Sequence, residues 1–165
     1  MSYQPTSLYS EIAPNLFMGG TADEDVIHQA APYNKVRTDL PFDAIITMYA
    51  WANPADWRVQ EFRYGIYDSA ISEIDLDRLK QAVEFGYNRW LSGDRVLVRC
   101  QAGLNRSGLV TALIMMSTGL DAETAIEQIR KNRAEIALFN NNYVEWLMSE
   151  GAQFLAPSGY AEISK

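Results

Sequence analysis

Val96-Leu97-Val98-Arg99-Cys100-Gln101-Ala102-Gly103-Leu104-Asn105-Arg106-Ser107-Gly108 reads as a strand, a loop and the start of a helix in direct succession. Three consecutive aliphatic residues suit a strand buried on both faces, which belongs inside a parallel sheet. The apolar run that follows predicts a helix over 107–118, stopped by Gly119. A short loop between strand and helix can curl so that successive N–H groups point inward beneath the positive end of the helix, which makes an anion nest. Gly103 supplies a position without Cβ, where the chain can take an unusual dihedral or let the anion approach.

The side chains on that loop fit the same chemistry. A helix terminus and Arg106 both favour a thiolate over a thiol, so Cys100 is expected to be a nucleophile with a depressed pKa. Arg106 can offer two parallel N–H donors to phosphoryl oxygens, a geometry that lysine cannot reproduce. Ser107 stands where its hydroxyl can meet the sulfur as it leaves a thiophosphate intermediate. The expected phosphate-binding set is Gln101, Ala102, Gly103, Leu104, Asn105 and Arg106.

Outward from this segment, strands alternate with helices. The stretch 15–18 reads as a short strand, after which Gly19 and Gly20 turn the chain into a helix over 21–31 with a capping box at Thr21 and Glu24. Further strands are predicted at 42–48, 61–67 and 95–99. Leu76, Leu79, Val83 and Tyr87 follow helical spacing and give an amphipathic helix that Ser92-Gly93 ends. Asp121 caps another helix through Lys131, and 140–155 supplies a last one. This alternation predicts a three-layer α/β sandwich, a mainly parallel sheet with helices on both faces, formed by 1–165 as one domain.

Composition restricts the partners. A formal net charge of −7 disfavours broad contact with nucleic acid or an anionic membrane. The longest nearly apolar stretch, 109–116, is far below the roughly 20 residues of a spanning helix, and the first residues carry no basic segment followed by an apolar block. A cytoplasmic location is expected. One cysteine and one histidine, His28, offer neither a disulfide nor a zinc site of usual spacing, so no metal or cofactor is expected.

The loop segment resembles the signature of the cysteine-based protein tyrosine phosphatases, a cysteine, five residues, an arginine and then serine or threonine, and within that superfamily the compact dual-specificity branch. Cys100, Gly103, Arg106, Ser107 and Gly108 all fall in place. The resemblance implies an upstream aspartate as general acid. Asp68, 100 − 68 = 32 residues before the nucleophile, takes that role, with Asp75 and Asp77 read as residues of a helix start. The stretch 15–19 looks like the branch's opening strand and turn, and 133–143 resembles its penultimate segment.

One departure is Arg99, where the family carries histidine. The sequence leaves it either supporting the loop or facing the phosphate. Trp51 and Trp57 are read as sealing the core in preference to rimming a cleft, and His28 is assigned no catalysis.

The implied function is hydrolysis of phosphomonoesters, phosphotyrosine and phosphoserine or phosphothreonine on proteins, through a cysteinyl-phosphate. Phosphate, sulfate and vanadate are the expected active-site anions. An RNA 5′-triphosphatase or small-phosphoester phosphatase of the same superfamily, and a catalytically silent phosphate-binding module, are the alternatives. Inositol lipids are disfavoured because Gln101, Ala102, Leu104 and Asn105 include no lysine.

Overall fold

The all-aliphatic strand that precedes Cys100 forms the middle of the sheet. The computed structural model describes residues 2–21 and 41–157. In it, β1 (Tyr9–Ala13), β2 (Leu16–Gly19), β3 (Ala44–Thr47), β4 (Gln60–Arg63) and β5 (Val96–Arg99) make a five-stranded sheet of order β1-β2-β5-β3-β4. Only β1 runs antiparallel, against β2. Strand β5 is flanked by parallel partners on both sides, Val96 lying opposite Leu16 and Ala44, and Arg99 opposite Gly19 and Thr47. Its four residues are all buried, as expected for a strand covered on both faces.

The register brings Gly19, Arg99 and Thr47 level at one end of the sheet. The chain therefore leaves β2, β5 and β3 at the same edge. In open α/β sheets the crevice beyond the carboxyl ends of the strands is where ligands bind.

Helix α1 (Leu76–Leu91) begins at Asp75, whose side chain accepts from the N–H groups of Asp77 and Arg78, and α3 (Ala122–Asn132) begins at Asp121, which accepts from Thr124. Between them α2 (Arg106–Met116) is buried from Ser107 to Met116 without interruption. A helix apolar all round must be enclosed all round. Strands β2 and β5 lie beneath α2, and α1 and α3 lie on its flanks. Leu113, fully buried there, would cost about 2–5 kcal/mol if truncated to alanine. The last helical segment runs as α4 (Asn141–Trp146), a π-helical stretch (Leu147–Gly151) and α5 (Ala152–Leu155).

The sheet faces divide by alternation along each strand. Leu16, Met18, Ala44, Ile46, Val96 and Val98 join the helices in the main core. Phe17, Ile45 and Leu97 point the other way and cluster with Phe42, Tyr9, Ala55 and Val59. The helix expected over 21–31, with His28, lies outside the described residues beyond Thr21. No helix of the described residues is long and apolar enough to cross a membrane.

Several sequence expectations need correction. Asn15, expected in a strand, occupies the β1–β2 turn at φ 67°, a left-handed conformation that asparagine tolerates better than most residues. The strand expected over 61–67 spans Gln60–Arg63, because the following residues leave the sheet to approach the loop after β5. Strand β1 was not anticipated. Trp51 and Trp57 do not seal the core, since they are 85% and 88% exposed. Arg99, which the sequence left open, has side-chain partners on β3, on β4 and in the connection between them. It is fully buried, and its side chain donates to Thr47 Oγ1 at 3.0 Å, to Glu61 Oε2 at 3.2 Å and to the Asn53 carbonyl at 2.8 Å.

Candidate active site

Cys100 is the first residue beyond β5, and its N–H donates to the Gly19 carbonyl, so the strand ladder fixes its position. The thiol is buried and donates to Ser107 Oγ at 3.2 Å. Ser107 lies in the first turn of α2, which places the sulfur beside the positive end of that helix. The Asn105 side chain makes no cap to α2.

Three carbonyls of the intervening loop are held from outside. Gln101 O accepts from Thr21 N at 3.0 Å and Leu104 O from Leu138 N at 3.1 Å. Gly103 O accepts from Arg133 Nε, also at 3.0 Å. Gly103 itself has φ +70°, and a Cβ there would lie 2.4 Å from the Gly19 carbonyl carbon and 2.5 Å from Gly20 N. Both the dihedral and the close approach require glycine.

Arg133 was not singled out by its chemistry in the sequence. It is buried, and besides Gly103 it holds the Ser7 carbonyl at 2.8 Å and Ser10 Oγ at 3.2 Å. Burial holds its guanidinium below its ordinary value, and the opposing effect of the Cys100 charge offsets this only in part.

Arg106, the first residue of α2, donates from Nη1 to the Ile66 carbonyl at 3.1 Å, and its guanidinium carbon stands 5.3 Å from the centre of the Tyr49 ring. Its Nε is buried and has no hydrogen-bond partner among the described residues. The guanidinium forms part of a cleft of about 440 Å³ lined by Tyr49, Ala50, Trp51, Gly65, Ile66, Tyr67, Gln101 and Arg106.

Asp68 follows Tyr67 in the segment after β4. Asn105 Nδ2 donates to its Oδ2 at 2.9 Å, and Asn140 Nδ2 donates to its Oδ1 at 2.8 Å. Asn140 also donates to the Ser69 carbonyl, and its backbone N–H donates to Asn105 Oδ1. Beside it the Tyr143 hydroxyl donates to the Tyr67 carbonyl at 2.9 Å. Burial, with the Asp68 charge next, holds that phenol far above its ordinary range, so it stays a donor. Asn105, Asn140 and Tyr143 tie the Asp68 segment to the loop after β5 and to the start of α4. The structure therefore brings Cys100, Arg106, Ser107, Asn105 and Asp68 to one end of the sheet. Asp75 instead caps α1, and Asp77 lies in its first turn.

A parallel sheet whose central strand feeds a cysteine, a five-residue loop and a helix-opening arginine defines the cysteine-based phosphatase class. Residues 29–153 match the family described as dual specificity phosphatase, catalytic domain, and the chain belongs to that family. Dual specificity protein phosphatase 1-A of Xenopus laevis is 29% identical over 154 residues, which are 92% of this chain and 39% of that protein. The chain thus spans about two-fifths of that relative's length. Human DUSP28 shares the fold with a TM-score of 0.72 at 19% identity, over 92% of this chain and 98% of that one. PTPMT1, solved in complex with PI(5)P, gives 0.71 at 20% identity, over 90% and 97%.

Proposed function

We propose that this domain hydrolyses phosphomonoesters, phosphotyrosine on proteins first among them, through a phosphate bound covalently to Cys100. The observation that carries this reading is the position of the Cys100 sulfur, 3.2 Å from Ser107 Oγ, at the start of a loop three of whose carbonyls are held from outside. Carbonyls turned outward leave the loop N–H groups to face an oxyanion, and the start of α2 adds its dipole.

In the first step the Cys100 thiolate forms an S–P bond as the ester P–O bond breaks, and Asp68 gives its proton to the leaving oxygen. In the second, water forms a P–O bond as the S–P bond breaks, with the Asp68 carboxylate taking the proton of the water. The Ser107 hydroxyl, turned to donate, stabilises the departing thiolate. Arg106 binds phosphoryl oxygens through the buried Nε–H and the remaining Nη groups, and this offsets the cost of leaving that N–H without a partner.

The experiment is a substrate panel: a tyrosine-phosphorylated peptide, an activated aryl phosphate, a phosphoinositide and an RNA 5′-triphosphate. Turnover of the first two, competitive inhibition by vanadate and indifference to EDTA are expected. Arg106→Lys should lose both binding and rate, because a point charge lacks the paired donors. Oxyanion binding without turnover of any substrate would make the domain a silent phosphate-binding module instead.

A further inference from the structure

Arg99 anchors the segment that carries Trp51, and that segment borders the cleft beside Arg106. With Arg63 it holds the segment 50–57 by its backbone carbonyls. Arg63 Nη2 donates to Ala52 O at 2.7 Å and Ala50 O at 3.4 Å, and its Nη1 donates to Asn53 O at 3.3 Å. Arg99 Nη2 reaches the same Asn53 carbonyl at 2.8 Å. Glu61 joins the two arginines, accepting from both at 3.2 Å, and takes the Ala55 N–H on its other oxygen. Thr47 closes the network by donating to Glu61 at 2.6 Å.

A connection between two strands rarely has so many of its backbone groups held by charged side chains, of which Arg99 is fully buried, since connecting segments usually satisfy their backbone in water. The charges compensate one another, which a buried pair requires. The segment held in this way carries Trp51 outward. Trp51 is 85% exposed and Tyr67 is 80% exposed, and both line the cleft that includes Arg106. Two large rings left in water on a fixed frame beside a phosphate site lack any folding benefit that explains them. Among the described residues lining the cleft Arg106 is the one cation. It matches one phosphoryl group flanked by apolar surface, which is the composition of a phosphorylated peptide and not of a polyphosphorylated headgroup.

We infer that Trp51 and Tyr67 form a rim that binds the peptide on either side of the phosphorylated residue, and that Arg99, Glu61 and Arg63 are positioning residues for the Trp51 side of it. This rests on the phosphatase reading and deepens it by naming the substrate as an extended phosphopeptide. Arg99, in place of the histidine its family carries, serves substrate selection through Trp51.

The test compares KM for a tyrosine-phosphorylated peptide with KM for an activated aryl phosphate too small to reach the rim. Trp51→Ala should raise the peptide-to-aryl KM ratio about three- to tenfold, the usual worth of one aromatic contact. Arg99→Met and Arg63→Met should raise the same ratio, with kcat moving less than KM. Because Arg63 is less deeply buried, its variant keeps the test valid if Arg99→Met does not fold. Loss of aryl phosphate turnover by the parent would refute the phosphatase reading itself. If the parent turns over both substrates and Trp51→Ala leaves the ratio at its parental value, the rim is wrong. The positioning role fails if the arginine variants slow both substrates equally. A KM change for phosphoinositide micelles without one for peptide would assign the rim to a lipid surface and overturn the inference.

Discussion

Asn140 Nδ2 donates to Asp68 Oδ1 at 2.8 Å, joining residues 72 positions apart in the chain. The same asparagine caps α4 by accepting from Asn142 N on its Oδ1. One side chain thereby fixes both the helix start and the carboxylate.

Asn140→Ser separates the two roles. A serine oxygen still caps the helix, so Tm should change little, whereas the amide donor is lost. We expect kcat on a phosphotyrosine peptide to fall about tenfold, a part of what a positioned general acid contributes. The fall on an activated aryl phosphate should be smaller, because a good leaving group departs without protonation. Asp68→Asn sets the full scale, with a loss of roughly 10²-fold or more on the peptide. Equal losses on both substrates in Asn140→Ser would show that Asn140 acts on the fold and not through Asp68.

Gly103→Ala places a Cβ against the Gly19 and Gly20 backbone at a left-handed residue. The cost is about 1–3 kcal/mol in backbone strain, with the clash in addition. Lower Tm is expected together with loss of the rise in Tm that vanadate gives the parent. A variant that vanadate still stabilises to the parental extent would show that the loop does not need this conformation.

Stability should depend on Glu61 at acid pH. Burial raises its carboxyl pKa, but the Thr47 hydroxyl, the Ala55 N–H and the charges of Arg63 and Arg99 outweigh burial and leave it below the ordinary value of 4.5. A carboxyl lowered on folding contributes stability that is present above that ordinary value and is lost as pH falls through the folded one. The Tm difference between the parent and Glu61→Gln should therefore be largest near neutrality and shrink as pH falls from 4.5 downward. A difference constant across that range would mean that the charge is not what Glu61 contributes.

What was legible in the sequence was local. The run from Val96 to Gly108 carries strand, loop and helix in one stretch, so its residues could be read from spacing, and α1 and α3 announced themselves by Asp75 and Asp121 with apolar periodicity behind them. Strand β1 was not legible because its residues are mostly half-buried and its pairing with β2 is a tertiary fact. Arg133 and Asn140 were missed as site residues because their partners, Gly103 and Asp68, are distant in sequence. The tryptophans were misread for a related reason. Large rings usually seal cores, and nothing local showed that Arg63, Glu61 and Arg99 would hold their segment from beneath.

The central claim is that phosphorus bonds to Cys100. The chain has a single cysteine, so a phosphate found on sulfur can come from no other residue. The measurement is mass spectrometry of enzyme mixed with phosphotyrosine peptide and denatured within the first turnovers. The account predicts a phosphate adduct on the fragment containing Cys100, with both adduct and turnover absent in Cys100→Ser. Turnover at the parental rate in Cys100→Ser, or a phosphate adduct on any other residue, would contradict it.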